Sequence, residues 1–193
     1  MTVITFSRKI RITNYQIFMG ASIITSLAMG LFGPFFFVFI QGFGKSMQSL
    51  GYAVGLMIFA QSVTFYFTGI LSDRFGRKIF LVGAGIGNGL VIIAYTFITS
   101  LTHLYILQVL YGIVWAMKSN ATSTFMADIT EEKTRGRSYG KLNAVLGVAG
   151  AGAIASAGML ADRFGSETIF YLVGGFSLIS ALILLFIKEE KSA

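Results

Sequence analysis

A dense group of charges lies at Gly69 to Lys78, between two long apolar stretches. One carboxylate, Asp73, stands there beside Arg74, Arg77 and Lys78. Such a group can form ion pairs that favour one of two packed states, and Asp73 can accept hydrogen bonds from the first N–H groups of a following helix. A simple topological anchor is the alternative. The predicted gating network comprises Gly69, Asp73, Arg74, Gly76, Arg77, Lys78, Asp128, Arg135 and Arg137.

Lys118 is the ionisable residue that lies deep inside an apolar stretch. It is about eight residues from the end of that stretch, or roughly 12 Å at 1.5 Å per residue, which is a long reach for its ammonium group. Tyr111, Trp115 and Thr122 share its helical face. Because intramembrane charge usually faces a pathway, we expect a cavity that binds an anionic substrate group or pairs with a carboxylate from a partner. A lysine capped by neighbouring carbonyls is the alternative.

Other polar side chains within the apolar stretches are candidates to line the same cavity. For each of them a hydrogen bond between two helices is at least as good an interpretation. These candidates are Ser22, Thr25, Ser26, Gln61, Thr64, Gln108 and Asn143.

The inventory of reactive groups argues against an enzyme. All eight acidic residues fall at the ends of apolar stretches or between them, the chain has no cysteine, and its one histidine is His103. No carboxylate pair, nucleophile with a base, or metal-binding cluster can be drawn. We therefore expect no catalytic residue, no cofactor and no metal.

The composition requires a lipid environment. Hydrophobic residues make up 55% of the 193 residues, charged residues only 12%, and the mean hydropathy is +0.77. Apolar stretches of about 20 residues span a bilayer, and lipid-exposed backbone must then be helical. The net charge of +7 is confined to the ends of these stretches, which favours phosphate headgroups over nucleic acid as neighbours. The six predicted spans are Tyr15 to Ile40, Leu50 to Leu71, Ile79 to Ile98, Leu104 to Met126, Leu142 to Leu160 and Ile169 to Ile187.

Lysine and arginine residues are distributed unevenly between the two sides of these spans. Lys45 and Arg163 lie on one side and twelve cations on the other, which predicts a multi-pass protein of the cell membrane with both termini in the cytoplasm. The first span is too long for a signal peptide, so we expect it to be retained. The twelve are Arg8, Lys9, Arg11, Arg74, Arg77, Lys78, Lys133, Arg135, Arg137, Lys141, Lys188 and Lys191.

The charged stretch has a second copy. Gly158 to Gly165 repeats Gly69 to Gly76 at an offset of 89 residues, with Ser166 and Glu167 in place of Arg77 and Lys78. The same offset places the first three spans on the last three. An odd number of spans per unit inverts the second unit, as in the inverted repeats of secondary transporters. We predict a single all-α six-helix bundle over 1–193, with repeat one at about 15–98 and repeat two at about 104–187.

Gly69 to Lys78 resembles the loop signature Gly-x-Leu-(Ser/Ala)-Asp-Arg-x-Gly-Arg-Lys of the major facilitator superfamily at every fixed position. Asp128 followed by Arg135-Gly136-Arg137 is similar to that family's second cytoplasmic charge cluster. The resemblance covers essentially the whole chain as the N-terminal six-helix half. It implies transport of a small solute by alternating access. It also implies that helices one, two, four and five line the cavity, with helices three and six towards lipid.

Two departures from the family pattern concern proton coupling. Many proton-linked drug exporters of the family have an arginine four residues before a glycine in helix four, whereas here Gln108 precedes Gly112. The family's helix-five antiporter signature contains a proline, which is absent from the stretch with Gly147, Gly150, Gly152 and Gly158. Proton antiport of that type is therefore not implied.

The length corresponds to one half of a family member, since such transporters usually have twelve spans. Three arrangements are open: a partner half encoded separately, a homodimer, or a truncated product. The alternative to transport is a half-size membrane protein that acts as an assembly or interaction module. The lipid bilayer and a small-molecule substrate, with an anionic one as a candidate, are the other expected partners.

Overall fold

Six long helices account for almost all of the chain. A computed structural model describes residues 2–43 and 46–188, with side chains described for residues 13–36, 39, 46–72 and 74–188. Short 3₁₀ turns at Tyr95–Phe97 and Glu132–Thr134 follow α3 and α4 respectively. The helices are α1 (Thr2–Phe43), α2 (Met47–Phe75), α3 (Arg77–Ala94), α4 (Leu101–Ile129), α5 (Arg135–Phe164) and α6 (Ser166–Leu184).

Five of these helices are long and apolar enough to cross a membrane, at Thr13–Phe36, Met47–Ser72, Arg77–Phe97, Glu132–Phe164 and Ser166–Leu184. The helix that falls short is α4, which contains the predicted span Leu104 to Met126. Its 29 residues are long enough, but Gln108, Lys118 and the polar run 119–124 lower its hydropathy. The all-helical prediction is confirmed for the described residues. Its sixth span stays a prediction.

Two turns of the chain share one unusual backbone conformation. Gly76, between α2 and α3, has φ 89° and ψ 156°, and Gly165, between α5 and α6, has φ 82° and ψ 154°. They are the residues with positive φ in the described part of the chain. Since a side chain is strained in this region, both turns depend on glycine. Each glycine occupies the N-cap of the next helix without a side-chain cap.

The helices pack in the spatial order α2, α4, α3, α6, α1, α5. This order is symmetric: when α1, α2 and α3 are exchanged with α4, α5 and α6, the same neighbours recur. Helices α2 and α5 therefore lie at the two ends and rest mainly on α4 and α1 respectively. A buried cluster near one end of the bundle joins the starts of α1 and α3 to the ends of α4 and α6 through Phe18, Leu81, Phe125 and Leu184.

The centre of the order is a close contact between α3 and α6. A Cβ on Gly85 would press on Ala181, and one on Gly89 would press on Leu178. Between these contacts Asn88 donates a buried hydrogen bond of 2.9 Å to the hydroxyl of Ser177. From Gly85 to Gly89 the residue number increases along α3, while the contacted residue of α6 changes from Ala181 to Leu178. The two helices are therefore antiparallel.

The contrast in burial between helices is large. Within the apolar segment of each helix, 56% of the residues of α3 and 44% of those of α6 are buried, but only 6% of those of α2 and 11% of those of α5. One side of α3 carries exposed Ile86 and Leu90, and one side of α6 carries exposed Leu182. The expectation that these helices face lipid concerns those sides and stays a prediction. Their other sides form the interior of the bundle.

Candidate functional site

An ion pair joins the start of α3 to the end of α4. The Arg77 Nε atom donates to Oδ2 of Asp128 at 3.1 Å, and Arg77 also donates to the hydroxyl of Ser72 at 3.2 Å. Ser72 is 1% exposed, whereas the side chains of Arg77 and Asp128 are 23% and 55% exposed. We call this end of the bundle the motif end. The structure thus brings together two parts of the predicted gating network.

Side chains of α5 hold the end of α4 from the other side. Arg135 donates to the carbonyl of Ala127 at 3.0 Å, and the Tyr139 hydroxyl donates to the carbonyl of Ser123 at 2.7 Å. Ala127 belongs to the last turn of α4, whose carbonyls lack intrahelical partners, and Ser123 lies one turn earlier. Arg135 therefore stabilises the helix end that carries Asp128, while Arg137 points into solvent-exposed space.

The remaining members of the predicted network lie in the last turns of α2 and the first turn of α3. The guanidinium of Arg74 is exposed and lies 5.6 Å from the ring centroid of Phe75. Gly69 faces α4, since a Cβ there would lie 3.6 Å from Asn120. Lys78 is half-buried. The side chain of Asp73 lies outside the described residues, so its role as a helix cap and gate stays a prediction.

A cavity at the motif end contains Lys118. It measures about 20 Å³ and is lined from α1 by Phe18, Ala21, Ser22 and Thr25, from α3 by Leu81 and Gly85, from α4 by Lys118 and Thr122, and from α6 by Ser177, Ser180 and Leu184. We call it the lysine cavity. A volume of roughly 10–15 Å³ holds one water. Five hydroxyls and one ammonium therefore surround a space for one small ligand.

A larger cavity lies towards the opposite end of the bundle. It measures about 370 Å³ and is lined by Met29, Phe32, Gly33, Phe36, Met57, Gln61, Tyr111 and Trp115, from α1, α2 and α4. We call it the aromatic cavity. Its volume lies within the roughly 300–1,000 Å³ of small-molecule sites, which are mostly apolar with a few polar groups. The aromatic rings and the amide of Gln61 provide that composition.

The structure thus divides the predicted substrate set between two cavities. Lys118, Thr122 and Ser22 line the lysine cavity, whereas Tyr111, Trp115 and Gln61 line the aromatic cavity. The expectation of one aromatic-walled face with one cation is corrected in this respect. Tyr111 and Lys118 share a face in projection, but seven residues separate them by roughly 10 Å along the helix axis.

Four further candidates, Ser26, Thr64, Gln108 and Asn143, line neither cavity. Thr64 donates to the carbonyl of Ala60 in its own helix at 2.7 Å. Gln108 is 0% exposed and accepts from the Tyr95 hydroxyl at 3.4 Å, while its Nε2 has no partner among the described residues. Ser26 donates to the carbonyl of Leu146 at 2.6 Å, which is the helix–helix bond that was its alternative interpretation. Asn143 is exposed on α5.

Several residues at these sites were missed by the sequence reasoning. Ser72 supports Arg77, Ser177 and Ser180 line the lysine cavity, and Phe32 and Phe36 form the wall of the aromatic cavity. One signal was present in the sequence for Ser177, which follows its partner Asn88 by the repeat offset of 89. The chain has 19 phenylalanines, and nothing in the sequence distinguishes Phe32 and Phe36 from the others.

Comparisons with known proteins agree with this architecture. The model of the Major Facilitator Superfamily matches residues 18–193. The chain is similar to "Uncharacterized MFS-type transporter YitZ" of Bacillus subtilis, with 30% identity over 158 residues, 82% of this chain and 96% of that protein. It is also similar to "Multi-drug resistance efflux pump PmrA" of Streptococcus pneumoniae (27% over 189 residues) and "Multidrug resistance protein MdtG" of Proteus mirabilis (27% over 192 residues).

The family match and the names of these relatives indicate a membrane transport protein and not an enzyme. The chain belongs to the major facilitator superfamily. Each of the alignments with PmrA and MdtG covers 92% of this chain but 45% of the relative, so the chain spans about half the length of those two proteins.

Proposed function

We propose that this chain forms one six-helix half of a secondary transporter, which moves a small organic solute across the cell membrane by alternating access. Six spans with both termini in the cytoplasm make up this half. A second six-helix half, either a separate chain or a second copy, packs against α2 and α5. The solute path then runs between the two halves.

The exposed surfaces of α2 and α5 carry this proposal. Both helices present large apolar side chains outwards, such as Phe59 and Tyr66 on α2 and Val148 on α5. The exposed side of α5 also has Gly147 and Gly152, which have open space where a Cβ would be. Glycines in membrane helices commonly allow a second helix to approach closely. Elsewhere in this chain they do so, since Gly112 of α4 lies against the Met57 carbonyl of α2.

The inverted-repeat organisation has independent support. Gly76 and Gly165 have nearly equal backbone angles at the repeat offset, and the neighbours of each helix recur when the two three-helix units are exchanged. Asn88 and Ser177 are equivalent in the two units and bond to each other. That contact is expected at a pseudo-two-fold axis between antiparallel α3 and α6. Rocking of one such half against another is the usual motion of repeat-built transporters.

The aromatic cavity indicates the kind of solute. Tyr111 and Trp115 together with two phenylalanines and two methionines suit an apolar or aromatic organic molecule, and Gln61 can orient one polar group. The names of PmrA and MdtG concern drug resistance, which favours organic drugs as the first compounds to test. The cavity residues belong to α1, α2 and α4, three of the four helices expected to line the path.

The gate of this transporter lies at the motif end. The ion pair between Arg77 and Asp128 holds the start of α3 against the end of α4, and we expect Asp73, in the last turn of α2, to engage a helix of the second half. Because the pair is partly exposed, it contributes little to stability and can be exchanged for other partners. That property suits a contact that must open in each cycle.

Dye efflux tests the proposal. The chain is produced in a drug-sensitive bacterium, alone and together with a candidate second half of six apolar spans, and the accumulation of ethidium in energised cells is followed. We expect accumulation to fall for the pair, or for the chain alone if it forms a homodimer. Gln61→Leu and Trp115→Ala should change which dyes are exported, while Leu182→Ala, on the exposed side of α6, is the matched control.

The alternative function is an assembly module without transport of its own. It predicts that the chain inserts and binds a partner but exports none of a panel of organic dyes at equal membrane abundance. That result would contradict the transporter proposal.

A further inference from the structure

We propose that the lysine cavity is a binding site for a small monovalent anionic group, either a halide ion or a carboxylate. The site lies inside this half of the protein and is distinct from the aromatic cavity. It therefore goes beyond the proposed transport path.

The first argument is the balance of hydrogen-bond donors and acceptors. The Thr25 and Ser180 hydroxyls lie 2.9 Å apart, and both are within hydrogen-bond distance of the Ala21 carbonyl, so the two hydroxyl protons have acceptors within the wall. Ser177 donates to the Val173 carbonyl at 2.8 Å and accepts from Asn88. These three hydroxyls are thus satisfied within the wall.

The other three polar groups are not satisfied in this way. The Lys118 ammonium and the hydroxyls of Ser22 and Thr122 have no hydrogen bond or ion pair to any residue that the structure describes. An ammonium group has three donors and no acceptor, and each hydroxyl adds one donor. The cavity therefore presents several free donors around a positive charge, which is the environment of an anion.

The second argument concerns where a counter-charge can come from. None of the residues that line the cavity is acidic. They all belong to α1, α3, α4 and α6, whereas the second half is proposed to pack on α2 and α5. A carboxylate of that partner would have to pass between the helices of this half. A small mobile anion reaches the ammonium without that rearrangement.

The third argument is size. The cavity of about 20 Å³ exceeds the roughly 10–15 Å³ that one water requires, so it admits a single ion or one carboxylate as small as acetate. It cannot hold a sugar acid or a phosphate ester. The site is therefore selective for small groups by volume as well as by charge.

Thermal unfolding of the purified chain in detergent tests the site without any transport assay. The probes are potassium chloride, potassium acetate and potassium gluconate at equal ionic strength, because a ligand that binds only the native state raises Tm in a saturable way. We expect chloride or acetate to raise Tm above the value in gluconate. A response to chloride alone identifies an inorganic ion site, and a response to acetate identifies a site for organic carboxylates.

Matched variants locate the binding. Lys118→Met should abolish the difference between salts, while Lys141→Met, which removes an exposed cation of α5, should leave it unchanged. Ser22→Ala and Thr122→Val keep the charge and remove one donor each, so each should weaken apparent affinity by roughly tenfold or more. These two variants keep the test decisive if Lys118→Met does not fold.

Equal Tm values in the three salts for the natural chain would overturn the anion site, and so would a salt response that Lys118→Met retains. Neither result bears on dye efflux by the assembled transporter. Conversely, loss of efflux would leave a measured anion site intact.

Discussion

The two loop motifs of this chain have the same backbone but different side-chain chemistry. Gly76 and Gly165 turn the chain with φ of 89° and 82°. After Gly76 comes Arg77, which binds Asp128 and Ser72, whereas Ser166 and Glu167 after Gly165 are exposed. The turn therefore depends on glycine in both copies, and the ion pair is an addition to one copy.

This difference separates a structural role from a functional one. If the charges were needed only to make the turn, the second copy would need them as well. Since the second copy makes the same turn without these charges, the cations of the first copy have a role other than forming the turn. Their excess on one side orients the protein, and the pair with Asp128 gives a contact that can open.

The largest expected effect distinguishes the two aspartates of the motifs. Asp73→Asn should sharply reduce transport by the assembled protein and leave insertion intact, because it removes the one carboxylate among three cations. Asp162→Asn, the equivalent change in the second motif, should have little effect. Dye efflux at equal membrane abundance measures both, and unchanged export by Asp73→Asn would remove that residue from the gate.

A second pair of variants tests the shared backbone. Gly76→Ala and Gly165→Ala should each lower the free energy of unfolding by about 1–3 kcal/mol, since both force a side chain into a sparsely populated region. Gly55→Ala in α2, which has open space around it, should be neutral or stabilising. Denaturant titration in detergent micelles provides the values. A large loss for one turn glycine alone would show that the copies are not equivalent.

The smallest effect concerns the stability of the ion pair itself. A double-mutant cycle of Arg77→Gln and Asp128→Asn should give a coupling free energy of about 0.2–1 kcal/mol, because both groups are partly exposed. Arg74→Gln, which alters an exposed guanidinium near Phe75, serves as the control and should not couple to Asp128. Zero coupling between Arg77 and Asp128 would mean that their contact does not contribute to the gate.

The apolar stretches predicted the all-helical fold of the described residues, because hydropathy is a local property of the sequence. Helix boundaries were less accurate. The prediction began the fifth span at Leu142, whereas α5 begins at Arg135. Charged residues such as Arg137 and Lys141 leave the apolar pattern but still form helix, so hydropathy marks the lipid-facing part and not the end of the helix.

The site was predicted less completely than the fold. A helical wheel gives the direction of Lys118 and Tyr111 but not their separation along the axis, which places them in different cavities. Nor does a single sequence show which helices become neighbours. The serines that α6 contributes to the lysine cavity follow from the contact of α6 with α1 and α3, which no local pattern encodes.

Cross-linking from single cysteines most directly tests whether α2 and α5 face a second half. The chain has no cysteine of its own, so Ser62→Cys on α2, Ala155→Cys on α5 and Ile179→Cys on α6 each introduce one exposed thiol. In native membranes, a reagent with one thiol-reactive end and one photoreactive end should join the α2 and α5 positions to another chain but leave the α6 position unlinked. Absence of adducts from α2 and α5, or equal adducts from α6, would contradict the account.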